Sequence, residues 1–85
     1  MSDLKSKFQQ AAVDVTKLAK KPGNDTLLEL YALYKQGTEG DCEGDRPGMF
    51  SPVKRAKFDA WASKEGTSKD DAQQSYIDLV TKLQG

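Results

Sequence analysis

Apolar residues recur every three or four positions along most of this 85-residue sequence. That spacing places them on one face of an α-helix, whereas the alternation of a half-buried strand never persists beyond a few residues. Proline and glycine interrupt the pattern at 21–23, at 37–51 and at 65–66. We therefore predict one small all-α domain, a four-helix bundle with helices over 3–19, 24–36, 52–64 and 68–84.

Several local signals set the expected helix ends. Ser2, Asn24 or Asp25, Ser51 and Ser68 are good N-caps, and Pro52 suits a first helical turn. Asp71 stands three residues after Ser68, as in an acidic version of the capping box. Gly37 is expected to stop the second helix. In the long loop that follows, we expect Met49 and Phe50 to fold back onto the core.

The composition argues against catalysis. Histidine, the commonest general base and metal ligand, is absent from the sequence. Serine, threonine and the single cysteine, Cys42, therefore have no histidine to activate them. Asp41, Glu43 and Asp45 alternate along the loop but lack the offsets of a calcium-binding loop. We predict no enzyme, no catalytic residue, no metal and no cofactor.

Charge and hydropathy indicate where in the cell the protein is expected. Thirteen basic and thirteen acidic residues balance to a formal net charge of zero, which argues against nucleic-acid binding. The segment MSDLKSKF lacks the apolar core of a signal peptide, and no run is long enough to span a membrane. A lone cysteine fits a reducing compartment. We expect a soluble cytoplasmic protein.

Two lysines lie at the edges of apolar helical faces. Lys35 follows Tyr31 by four positions, and Lys57 shares a face with Trp61. Such a lysine must reach water, meet a carboxylate or hold an anionic ligand. The neighbouring aromatic residues fit either a core or a surface on which a flat ring stacks. The pattern alone leaves both interpretations open.

Several motifs of the sequence resemble those of a known family. The motifs are Tyr31-Ala-Leu-Tyr-Lys-Gln36 with Thr38 and Gly40-Asp-Cys42, Arg46-Pro-Gly-Met49, Ala56-Lys57 with Asp59-Ala-Trp61, and Gly66-Thr-Ser-Lys69. Together they resemble the acyl-CoA-binding protein family, also called the diazepam-binding inhibitor family. The resemblance implies an up-down-down-up four-helix fold. It also implies a monomer that binds medium- and long-chain acyl-CoA esters without catalysis, as a pool former and carrier in exchange with enzymes and membranes.

The same resemblance implies a ligand site. It assigns the ribose 3′-phosphate and adenine to Tyr31, Lys35 and Lys57, and a nucleotide contact to Tyr76. The implied ligand-binding set is completed by Lys17, Lys21, Ala32, Leu33 and Tyr34. Two positions depart from the family pattern: Thr16 stands where a basic residue is frequent, and Phe58 replaces a frequent tryptophan.

Two alternative functions are considered in addition to acyl-CoA binding. A basic membrane-surface or phosphoinositide-binding helical module would use Lys17, Lys20, Lys21, Lys54 and Arg55, although zero net charge counts against it. A thioesterase would need a positioned nucleophile, which the sequence does not indicate.

Overall fold

Four α-helices make up the fold. The computed structural model describes residues 3–85, in which the helices are α1 (Asp3–Asp14), α2 (Asn24–Glu39), α3 (Pro52–Ala62) and α4 (Lys69–Gln84). A short 3-10 helix, Val15–Lys17, continues α1, and no strand occurs within the described residues. The predicted cap Ser2 lies outside the described residues.

The first helix ends earlier than predicted. Regular α-helix stops at Asp14, and Leu18 is already extended, with φ −61° and ψ 137°. The Thr16 hydroxyl donates to the carbonyl of Val13 at 2.7 Å and supports this tight 3-10 turn. The chain then bends at Ala19 and Lys20 and reaches Pro22 without further helix, as expected of residues immediately before a proline.

The second helix continues past its predicted end. Gly37 is buried inside α2, where an added Cβ would lie 3.0 Å from Gln73 Cγ and 3.2 Å from Phe8 Cζ. This glycine therefore allows close helix packing and does not stop the helix. Gly40 ends α2 instead: its φ of 84° suits glycine, and its N–H bonds to the carbonyl of Gln36 at 3.1 Å.

The other predicted caps had mixed outcomes. Ser68 precedes α4, and its hydroxyl accepts from the N–H of Asp71 at 3.0 Å, which confirms that cap. Pro52 begins α3 as predicted, but Ser51 provides no side-chain cap, and α3 ends at Ala62 rather than at 64. Gly23, not Asn24 or Asp25, occupies the N-cap of α2.

Contacts along the helices give their relative directions. Asn24 and Pro52 line one groove at the starts of α2 and α3, and Trp61 Nε1 donates to the Gly40 carbonyl at their ends, so these helices run parallel. Gln73 Nε2 donates to the Gly37 carbonyl, and Tyr76, one turn later, packs near Tyr34, so α4 runs antiparallel to α2. Residues near the starts of α1 and α4 line one cavity together, so these two helices run parallel. The order is up, down, down, up.

The buried core excludes α3. Its members come from α1, α2 and α4: Phe8, Ala11, Leu30, Leu33, Tyr76 and Val80. No residue of α3 is buried. Two polar contacts connect the C-terminal end of this helix and the turn after it to α2: Trp61 to Gly40 at 2.8 Å and the Lys64–Glu29 ion pair at 2.6 Å. Space consequently remains between α2 and α3.

One buried amide joins the two loops at the far end of the bundle. Gln36 has no exposed surface, and its Nε2 donates to Asp41 Oδ1 and to the Thr67 carbonyl, both at 2.8 Å. Asp41 Oδ1 also accepts from the N–H of Gly66 at 2.9 Å. These two donors lower the pKa of Asp41.

The expectation that Met49 and Phe50 cover the core is wrong. Met49 is 74% exposed and Phe50 is 96% exposed. A tight turn causes this, because the N–H of Ser51 bonds to the Gly48 carbonyl at 3.0 Å and the two residues occupy the turn's corners.

Candidate functional site

A cavity of about 730 Å³ opens where the segment after α1 crosses the bundle; we call it the large cavity. Residues of all four helices or their flanking segments line it. Its apolar lining is Val15, Leu18, Ala19, Pro22, Leu27 and Leu30. Its polar lining is Thr16, Lys21, Tyr31, Tyr34, Lys57 and Tyr76. An apolar wall with a few convergent polar groups is typical of a small-molecule site.

A second space of about 400 Å³ adjoins it between α2 and α3; we call it the apolar groove. Leu27, Tyr31 and Lys57 line both spaces. The groove's other lining residues are Asn24, Leu28, Pro52, Val53 and Ala56. The groove lies beside the first turns of α3, where its lining residues Pro52, Val53 and Ala56 are not buried. The two spaces therefore offer one ligand a polar region and an aliphatic extension.

Lys57 and Tyr31 meet where the two spaces join. The Lys57 ammonium lies 5.3 Å from the centre of the Tyr31 ring, a cation–π distance. Parallel packing of α2 and α3 produces this pairing. Within residues 3–85 Lys57 makes no ion pair. The contact with the ring face uses none of the three N–H donors of the ammonium group. All three can therefore donate hydrogen bonds to an anion.

Lys35 has a different environment. Its ammonium lies 4.8 Å from the centre of the Trp61 ring and pairs with Glu39 one turn along α2. The hydrogen bond to Glu39 raises the pKa of Lys35, so this lysine remains charged. It does not line the large cavity or the apolar groove. An anion must therefore compete with Glu39 for it.

Tyr34 and Tyr76 line the large cavity, and the buried Phe8 ring packs against both of them. Phe8 lies 5.4 Å from Tyr34 and 5.2 Å from Tyr76, and the two tyrosine rings are 5.9 Å apart, all between ring centres. Burial raises the pKa of Tyr76, so its hydroxyl stays protonated and available as a donor. Tyr34 is more exposed and also borders a further cavity, which residues of α1 and α4 line together with the last part of α2.

The structure brings together five of the nine residues expected at the site: Lys21, Tyr31, Tyr34, Lys57 and Tyr76. Lys17 and Lys35 lie outside the lining of both spaces. Ala32 and Leu33 are buried, with 0% and 5% of their surfaces exposed. Neither residue lines the large cavity or the apolar groove.

Sequence reasoning missed part of the wall. Leu18, Ala19 and Pro22 line the large cavity because the regular helix ends at Asp14 and the segment after the 3-10 turn is not helical. Their helical spacing assigned Leu18 and Ala19 to a longer first helix, and so concealed their role. The proline was the one available signal that the chain leaves the helix here.

Comparison with known proteins places the chain in a family. The profile described as Acyl CoA binding protein matches residues 5–80, most of the sequence. The chain belongs to the acyl-CoA-binding protein family. A relative in Caenorhabditis elegans, acyl-CoA-binding protein homolog 1, is 53% identical over 76 residues, which cover 89% of this chain and 88% of the relative.

Other relatives show how this family's domain is used. The crystal structure of acyl-CoA-binding protein 2 from Oryza sativa superposes with a TM-score of 0.90 at 40% identity, covering 94% of this chain and 89% of that one. Enoyl-CoA delta isomerase 2 of Rattus norvegicus is 49% identical over 89% of this chain, but the match covers only 19% of that enzyme. The family is a family of binding proteins, and its domain also occurs inside larger proteins.

Two further features were searched for within the described residues: a metal-binding cluster and a membrane-spanning helix. No group of three or more histidine, cysteine or acidic residues within 3–85 could hold a metal ion. In the same range, no helix combines the length and hydropathy needed to cross a bilayer.

Proposed function

We propose that this protein binds medium- and long-chain acyl-CoA esters without catalysis and serves as an acyl-CoA pool former and carrier. The observation that carries the proposal is the junction of the two spaces at Tyr31 and Lys57, where an aliphatic groove meets a cationic and aromatic cavity. An acyl-CoA needs both surfaces, because a phosphorylated nucleotide and a hydrocarbon chain are joined in one molecule.

The nucleotide end suits the large cavity. A phosphate monoester carries close to two negative charges, which lysine ammonium groups and a tyrosine hydroxyl can bind by charge-assisted hydrogen bonds. Lys57, beside the Tyr31 ring, is the primary phosphate ligand of this proposal, and Lys21 lines the same wall. Lys35 and Lys17 lie outside that wall and contribute positive charge, with Lys35 first exchanging Glu39 for the ligand. The Tyr31 and Tyr34 rings offer faces on which adenine can stack.

The acyl end suits the apolar groove. Apart from Asn24 and the tip of Lys57, its wall is aliphatic or aromatic. A hydrocarbon chain that enters it leaves water, which contributes at most about 0.8 kcal/mol per methylene. This supports binding of medium and long chains, with affinity that rises with chain length until the groove is filled.

The absence of catalysis is part of the proposal. The sequence contains no histidine, and burial raises the pKa of the Cys42 thiol, which keeps it in the unreactive protonated form. Since the match to the rat isomerase covers a fifth of that enzyme, its name does not indicate an isomerase activity for this domain. We place the carrier in the cytoplasm, as a monomer that exchanges its ligand with acyl-CoA-using enzymes and membranes.

The rival basic helical module is less well supported. Its five cations do not share one helix: Lys17 ends the 3-10 turn, Lys20 and Lys21 lie in the linker, and Lys54 and Arg55 belong to α3. A membrane-surface helix needs such residues along a single face.

Calorimetric titration with a long-chain acyl-CoA, free CoA and the matching free fatty acid tests the proposal. We expect the ester to bind most tightly, because it alone occupies both spaces. Fatty acid that binds as tightly as the ester would refute it and indicate a general lipid-binding protein. Release of free thiol during incubation with the ester would refute the claim that catalysis is absent.

A further inference from the structure

Three exposed apolar side chains cluster at the start of α3. Phe50 is 96% exposed, Met49 74% and Val53 66%, and we call these three residues the apolar tip. Single apolar residues on a surface are ordinary, but a phenylalanine with almost its whole surface in water, beside a methionine and a valine, forms a patch that calls for a contact.

The fold itself does not use the apolar tip. Met49 and Phe50 occupy the corners of the turn closed by the Ser51 to Gly48 hydrogen bond, which holds them away from the domain. Neither belongs to the core formed by α1, α2 and α4. Neither lines the large cavity or the apolar groove. Their exposure is therefore built into the turn and serves no packing within residues 3–85.

The apolar tip stands at the edge of the apolar groove. Val53 belongs to both, and Pro52, which separates Val53 from the turn, also lines the groove. A surface that covers the tip would therefore also cover the adjoining end of the groove. A hydrocarbon chain could pass between that surface and the groove with little exposure to water.

Positive charge surrounds the apolar tip. The segment 46–57 contains Arg46, Lys54, Arg55 and Lys57 and no acidic residue, within a chain whose formal net charge is zero. Arg46 is paired with Asp59 at 2.6 Å, which leaves the three cations of α3 outside any ion pair of the described residues. Apolar side chains next to exposed cations match the surface of a bilayer that contains anionic lipids.

We propose that the apolar tip docks this protein onto anionic lipid bilayers, with Met49 and Phe50 inserted among the headgroups and with Lys54 and Arg55 of α3 at the lipid phosphates. Size favours a bilayer over a protein partner, because a stable protein interface buries about 800 Å² on each side, far more than three side chains supply. Shallow insertion needs no more than such a tip.

Vesicle binding of the unliganded protein tests this directly, and its result does not depend on whether acyl-CoA binds. We expect co-sedimentation with vesicles of phosphatidylcholine mixed with phosphatidylserine, and weaker binding to phosphatidylcholine alone. The double variant Met49→Ser/Phe50→Ser should bind the mixed vesicles about tenfold more weakly or worse, since removing one such side chain from an apolar environment suffices for that change.

Val13→Ser is the matched control. Val13 is also exposed, at 46%, but it belongs to α1 and not to the turn and helix that carry the tip. This variant should bind vesicles like the wild type. In solution without vesicles, the double variant should keep the wild-type affinity for acyl-CoA and its melting temperature, because neither residue lines the ligand spaces or the core.

A positional probe identifies the inserted surface. Tryptophan placed by Phe50→Trp should shift its emission to the blue and be quenched by brominated lipids, whereas tryptophan placed by Val13→Trp should not. The proposal is overturned if the wild type ignores both kinds of vesicle, if the double variant binds them normally, or if the two tryptophans are quenched alike. Loss of acyl-CoA affinity in the double variant would also overturn it, because the tip would then belong to the ligand site.

Discussion

Replacing Ala56 by leucine should weaken binding of long-chain acyl-CoA and leave binding of free CoA unchanged. Ala56 lies on α3 and lines the apolar groove but not the large cavity. A leucine there would occupy groove volume that the acyl chain needs. Because Ala56 is only half-buried and the core excludes α3, the added atoms do not overpack the core.

The groove sets the size of the effect. Leucine adds three carbons, which displace about three methylenes of ligand from a space of about 400 Å³. At about 0.8 kcal/mol for each methylene returned to water, the loss reaches about 2.4 kcal/mol, or roughly 60-fold in affinity. Rotation of the leucine towards solvent would reduce this figure, which is therefore an upper bound.

Titration of a series of acyl-CoA esters with increasing chain length measures the effect. Ala60→Leu is the matched control, because Ala60 lies one turn further along α3, is half-buried too, and lines neither space. The two variants should melt alike and bind free CoA alike. Equal loss for free CoA and long-chain ester, or equal loss in both variants, would refute an acyl chain in this groove.

Three further predictions concern the nucleotide end, the ligand's effect on stability, and acid. Lys57→Ala should weaken acyl-CoA binding by about 1.5–3 kcal/mol, the range for a hydrogen bond to a charged group. Removing the 3′-phosphate from the ligand should cost the wild type most of the same binding energy. If the losses from the substitution and from the dephospho-CoA ester are additive, Lys57 does not contact that phosphate. Acyl-CoA at about 100 times its dissociation constant should add roughly 2.7 kcal/mol and raise the melting temperature by about 10–20 °C, whereas free fatty acid should add much less. Hydrogen bonds from Arg46 lower the pKa of Asp59, so this carboxylate stabilises the fold above its ordinary pKa and loses that effect as the pH falls through the lowered value. Asp59→Asn should therefore destabilise the protein at neutral pH in urea titrations and approach the wild type below about pH 4; a constant difference would contradict this.

The helical framework could be predicted because it depends on local periodicity. Apolar spacing and turn residues located all four helices, and Ser68 with Asp71 fixed the start of α4. Where tertiary packing decides, the same reasoning went wrong. Gly37 looked like a helix stop, but its missing side chain lets α4 and Phe8 approach α2.

The sequence predicted which types of residue form the site better than it predicted how those residues are arranged. Periodicity put Tyr31 and Lys35 on one edge of α2, yet the structure sets Lys57 over Tyr31 and Lys35 over Trp61. Those pairings depend on the parallel run of α2 and α3, which the spacing within one helix cannot reveal. The ion pair of Lys35 with Glu39 follows the four-residue rule and could have been read from the sequence.

The loose attachment of α3 links the fold to the proposed function. A fully packed third helix would add to the core but would close the space between α2 and α3. Instead, no residue of α3 is buried, and its Val53 and Ala56 line the apolar groove. In the proposed complex, an acyl chain in that groove would supply the apolar contacts that α3 lacks, so part of the core would arrive with the ligand. That is why we expect a long-chain ester to raise the melting temperature more than free CoA, which has no acyl chain to place in the groove.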